Sequence, residues 1–151
     1  MFTNVLVAVD RSRHAQAALH EAADIARAQG ASLTVMTVYS TLFPSLASMD
    51  MPINQEVYEQ FRAARRAEAE AAIRDGVAAL PEGMSAQTVT VEGHAATAIL
   101  QQATDGGHDL IVVGSRGHGD AASILLGSVS HNVLHHSRVP VLIVHLLDIE
   151  A

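Results

Sequence analysis

Cysteine is absent from this chain of 151 residues, so neither a disulfide framework nor a thiolate nucleophile is available to it. Lysine is missing as well, since all nine basic side chains are arginines. That excludes Schiff-base chemistry, a lysine nucleophile and the lysine of a G-x-x-x-x-G-K-[ST] phosphate loop. Aromatic residues are few (Phe2, Tyr39, Phe43, Tyr58 and Phe61), and the net charge is -7. A nucleic-acid surface needs basic patches for phosphates and often rings for stacking, so nucleic acid is not an expected partner. No apolar run approaches the roughly 18 to 20 residues of a membrane-spanning helix. Residues 1–9 lack a basic n-region and run straight into Asp10-Arg11-Ser12, unlike a signal peptide. The expectation is a cytoplasmic protein with no membrane partner. A hydrophobic share of 49% at this length suits one domain over residues 1–151.

What is present is an alternation of apolar, β-rich runs with amphipathic stretches. The runs at 5–9, 33–38, 88–91, 110–113 and 141–144 imply five strands. Between the first two, Ala15, Ala18, Leu19, Ala22, Ile25 and Ala26 recur at helical spacing, with Ser12 as N-cap and Gly30 just past the end. A second helix over about 53–80 carries Val57, Phe61, Ala64, Ala71 and Ile73 on one side, and Arg62, Arg65, Arg66, Glu68, Glu70 and Arg74 on the other. A third over about 95–104 buries Ala96, Ile99, Leu100 and Ala103, and a fourth spans Ser128 to His136. Continuous apolar strands such as 110–113 belong to a parallel sheet covered on both faces, whereas the alternation at 88–91 suits a sheet edge. The pattern predicts an α/β fold, a doubly wound parallel sheet with helices on both faces. The connection over 40–52 reads as a loop packed on the domain, with a lid or partner surface as the other reading.

The stretch from Leu110 to Ser130, LIVVGSRGHGDAASILLGSVS, places glycines where a strand ends and where a helix begins. Gly114 and Gly117 let a backbone approach an anion closely. Gly127, Ser128, Val129 and Ser130 offer amide donors at a helix N-terminus, whose partial positive charge also favours phosphate. Ser128 and Ser130 add hydroxyl donors. Loop punctuation before a helix is the other reading of these residues alone. The first strand turn, Val9-Asp10-Arg11-Ser12, has no glycine, so the dinucleotide fingerprint is missing.

With Gly114, Gly117, Gly127 and Ser128 spaced as Gly, two residues, Gly, nine residues, Gly-Ser, the chain resembles the ATP-binding branch of the universal stress protein family. The opening VLVAVD and the closing SVSHNVLHHSRVPVLIV extend the resemblance over nearly the whole chain. It implies a Rossmann-like, adenine nucleotide alpha hydrolase-like sheet of order 3-2-1-4-5, with a nucleotide across the ends of the first and fourth strands. Open α/β sheets do bind ligands at such a switch point. By the same resemblance Asp10 faces the adenosine end, Ala8, Val9 and Val38 line the adenine pocket, and Val113 and Gly114 border the ribose. Gly117, Gly127, Ser128, Val129 and Ser130 then hold the phosphates. Arg116, inside the glycine loop, is either a phosphate contact or a solvated arginine. The family commonly has Gly after the first-strand Asp; here Arg11 stands there and is expected to point into water.

The ligand so implied is ATP, or ADP or AMP, with or without Mg2+. The function implied is a nucleotide-dependent stress-response or regulatory module that an unidentified protein partner reads, with at most weak ATP hydrolysis. Two alternatives stand beside it: a slow ATPase or nucleotide phosphotransferase using Asp10 and Arg116, and a ligand-free dimeric interaction protein. A homodimer through antiparallel pairing of the last strand, Val141 to Val144, is also implied, and an apolar edge invites such pairing. Among the nine histidines, His131 and His135 are spaced i,i+4 on one helix. A catalytic zinc needs three protein ligands, so surface histidines are expected there. His118 is either a phosphate contact or a solvated loop residue.

Overall fold

The structure is a computed structural model that describes residues 1–42, 54–117 and 126–146. His118 and most of the 40–52 connection, both singled out above, lie outside the described residues. The elements are β1 (Asn4–Ala8), α1 (Arg13–Gln29), β2 (Ser32–Tyr39), α2 (Gln55–Ala78), β3 (Gln87–Glu92), α3 (Ala95–Asp105), β4 (Leu110–Gly114), α4 (Ser128–His136) and β5 (Val141–Val144). The strands are parallel and ordered β3-β2-β1-β4-β5, as the family resemblance implied.

Local chemistry sets the element ends. The Ser12 hydroxyl accepts the Ala15 N–H at 3.1 Å and opens α1. Gly30, at φ 66°, closes it in the left-handed conformation that suits glycine. Successive side chains of a strand face opposite ways, so Val5 and Val7 pack with Leu33, Val35 and Val112 beneath α1 and α2. Leu6 packs with Met36, Ile111 and Val113 beneath α3 and α4, against Ala96, Ile99 and Val133. Cover on both faces is why the central strands read as unbroken apolar runs. β3 is the edge expected from its alternation, and β5 is the other edge, half-buried at every residue.

Three departures from the sequence expectations concern β1, α2 and α3. The first strand ends at Ala8 rather than Val9: its pairing with β4 stops at Val7, while the Val9 N–H still reaches the Met36 carbonyl at 2.8 Å. In α2 the buried residues are Ala69, Ala72 and Ile73, whereas Val57 is 55% exposed and Ala64 is exposed. The cause is length. A helix of 24 residues runs about 36 Å, while β2, at 8 residues, runs only about 26 Å. The N-terminal half of α2 is held by polar ties instead, with Arg62 on Glu92 at 2.7 Å and the Tyr58 hydroxyl on Thr41 at 3.3 Å. In α3, Leu100 is half-buried rather than in the core.

Candidate functional site

From the end of β1 the chain leaves toward α1 on one face of the sheet, and from the neighbouring β4 it goes on to α4 on the other. Two adjacent parallel strands whose connections part in this way open a crevice beyond their carboxyl ends. A cavity of about 210 Å³ lies there. Ala8, Val9 and Asp10 line it from the exit of β1, and Val38 from β2. Val113, Gly114, Arg116 and Gly117 line it from β4, and Gly127, Ser128, Val129 and Ser130 from the start of α4. These twelve residues, assigned to the nucleotide site from the sequence, therefore border one space. Ser12, Ala15, Ala95 and Ile99 line it too. The first turns of α1 and α3 are the signal that would have found them.

Two helices start at the cavity without a side-chain cap. α1 and α2 are capped by the side chains of Ser12 and Asn54, but α3 begins on His94 and α4 on Gly127 with no side-chain cap hydrogen bond. The first amides of a helix have no carbonyl partner within it and carry its positive end. In α4 the first backbone bond runs from the His131 N–H to the Gly127 carbonyl at 2.9 Å, after the amides of Ser128, Val129 and Ser130. Asp10 accepts the Ser12 N–H at 2.7 Å, which shapes the first-strand turn without the glycine common in the family. Arg11 is exposed, as expected.

Ser115 was passed over in the sequence, yet it holds the site together. It is 1% exposed. Its N–H donates to the Val144 carbonyl at 2.9 Å, its carbonyl accepts the Gly127 N–H at 2.6 Å, and its hydroxyl lies 3.2 Å from His14 Nδ1. One residue thus joins β4, β5, α4 and α1. Gly114 also serves packing: a Cβ there would lie 2.7 Å from the backbone carbonyl carbon of His14. The Ser130 hydroxyl, expected as a phosphate donor, donates to the Gly114 carbonyl, and the residue is buried. Its amide is the donor left for an anion. His131 and His135 are exposed and stacked with centroids 6.2 Å apart. Among the described residues no group of three or more His, Cys, Asp or Glu side chains could hold a metal ion.

Comparison with known proteins agrees with this fold. The Universal stress protein family matches residues 1–145. A universal stress protein of Bacillus subtilis (strain 168) is 33% identical over 147 residues, covering 95% of this chain and 99% of the relative. The solved structure of universal stress protein UspA from Lactobacillus plantarum matches with a TM-score of 0.78 at 29% identity, over 94% of this chain and 97% of that one. A universal stress protein crystallised in complex with cAMP matches with a TM-score of 0.59 at 29% identity, over 95% of this chain and 97% of that one. Sheet order, glycine spacing and relatives alike at full length lead to one conclusion: this chain belongs to the universal stress protein family.

Proposed function

We propose that the chain binds ATP, or ADP or AMP, beyond the ends of β1 and β4, and serves as a nucleotide-dependent stress-response module whose occupancy a protein partner reads. The observation that carries this is the start of α3 and α4 at one cavity, neither capped by a side chain, beside Gly114, Gly117 and Gly127. Such helix starts favour a polyanion. Phosphates would lie on the amides of Ser128, Val129 and Ser130, with Arg116 beside them, and the base would lie among Ala8, Val9 and Val38 with Asp10 near the adenosine. The relative crystallised with cAMP supports an adenine nucleotide as the ligand class, and the Gly-Ser spacing supports the triphosphate.

Binding rather than rapid turnover is the activity supported. Efficient phosphoryl transfer gathers several cationic groups around the phosphates, and Arg116 is the basic side chain among the described residues lining the cavity. Magnesium, where present, would arrive with the phosphate oxygens.

The direct test is calorimetric titration of nucleotide-stripped protein with ATP, ADP, AMP and cAMP, for the wild type and for Ser128→Pro. Proline is favoured at the first position of a helix, and Gly127, at φ -66° and ψ 161°, already has the extended conformation needed before it. The substitution therefore removes one amide and one hydroxyl while sparing the helix. ATP affinity should fall about tenfold or more, the equivalent of roughly 1.4 kcal/mol. A wild type that takes up no nucleotide at millimolar concentration, or a variant that binds as well as wild type, would overturn the reading.

A further inference from the structure

α3 and α4 wall a second cavity that shares no residue with the first. It is a cleft of about 450 Å³ between the two helices and the α4–β5 connection, a volume typical of small-molecule sites. Ala96, Leu100, Ala103, Ile111 and Val139 give it an apolar floor. Leu100 is half-buried there, so the core does not use it fully.

The charge around this floor is one-sided. No acidic residue is among the described residues that line the cleft, in a chain with 16 acidic and 9 basic residues. Arg138 stands exposed on the rim and takes part in none of the ion pairs among the described residues. His136 lines the cleft too, with Nδ1 3.0 Å from the Asn132 carbonyl. A carbonyl only accepts, so Nδ1 carries the proton. The cleft takes in the C-terminal, negative end of α4 at His136 and Ser137 and the first turn of α3, the positive end of that helix, at His94, Ala96 and Thr97, so the two helix ends oppose each other there and the net charge of the rim is that of Arg138.

We infer that this cleft binds a small organic anion, an apolar body ending in a carboxylate, with the carboxylate at Arg138 and the body over Leu100, Ala103 and Val139. Hexanoate, hexanol and acetate, titrated into nucleotide-free, ¹⁵N-labelled protein and followed by amide chemical shifts, test it. Hexanoate should move the amides of Leu100, Thr104, His136 and Val139 saturably, with hexanol and acetate each bound several-fold more weakly. Arg138→Gln should weaken hexanoate about fivefold, the scale of an exposed charge pair, and leave hexanol unchanged. Three results would each overturn the inference: shifts spread over the surface or centred on the β1–β4 cavity, hexanol bound as well as hexanoate, or hexanoate indifferent to Arg138→Gln. Movement of the same amides on raising protein concentration alone would show a second copy in the cleft and would also overturn it. With nucleotide absent throughout, the outcome is separate from the reading of the first cavity.

Discussion

Gly114 and Ser115 stand side by side at the exit of β4, and neighbours far away in the chain constrain both. At Gly114 the constraint is space. A methyl group would sit 2.7 to 2.8 Å from the backbone and Cβ of His14, at the first turn of α1, and backbone cannot swing aside as a flexible side chain can. Gly114→Ala should destabilise the fold by about 1–3 kcal/mol, the range for overpacking a filled site. At roughly 2–4 °C per kcal/mol for a chain of this size, a thermal melt resolves the loss; an unchanged melting temperature would mean that α1 yields easily. The glycine spacing was legible in the sequence, but its packing role was not, because His14 is a hundred positions away. Ser115 was hidden for the same reason. A serine between glycines looks solvated until α1 and β5 close over it, through a contact across 101 positions.

Helix ends were legible in α1, where Ser12 and Gly30 cap it, but the Asn54 cap of α2 was passed over in a helix read from about 53. The buried face of α2 was not legible either, since it depends on how far the sheet extends beneath the helix. The turn between α3 and β4 yields an element-scale consequence for acid stability. His108 is 5% exposed, its Nδ1 lies 3.2 Å from the Gln102 carbonyl, and its Nε2 has no hydrogen-bond partner among the described residues. Burial holds its pKa below the ordinary 6.5. Asp109 accepts the Asn4 N–H at 2.9 Å and the Thr3 N–H and hydroxyl at 2.8 and 2.9 Å, and these bonds hold its carboxyl below the ordinary 3.8. The unfolded chain protonates His108 first, so stability falls as pH drops below 6.5 toward the folded value. The Asp109 contribution is present above 3.8 and is lost as pH falls through its lower folded value. Melting temperatures from pH 8 to 3 should therefore show an upper descent that His108→Gln flattens and a lower one that Asp109→Asn flattens. Variants that track the wild type at every pH would show that neither group drives the acid response.

At the scale of the molecule, the sheet has two edges of different character. β3 begins with exposed Gln87 and Thr88, whereas β5 is Val-Leu-Ile-Val and half-buried throughout. The strand order was legible through one glycine pattern and its family resemblance, and so was the set of residues that line one cavity beyond β1 and β4. Among the described residues no strand pairs with the outer side of β5, and a second copy at that edge is what the family resemblance implies. The backbone still says which groups are on offer. The Ile111 N–H donates to the Pro140 carbonyl at 3.0 Å and the Ser115 N–H to the Val144 carbonyl at 2.9 Å, so these residues face β4. Alternation along the strand turns Leu142 the same way and points the N–H and carbonyl of Val141 and Ile143 outward. A homodimer paired antiparallel across a two-fold axis would use each outward group twice. Ile143→Pro removes an outward N–H and leaves the bonds to β4 in place, a position where sheets tolerate proline. Sedimentation equilibrium should find the wild type dimeric and the dissociation constant of Ile143→Pro raised about tenfold or more, the effect of roughly 1.4 kcal/mol, with an unchanged circular dichroism spectrum. A wild type that stays monomeric at high micromolar concentration would leave this edge to some other partner.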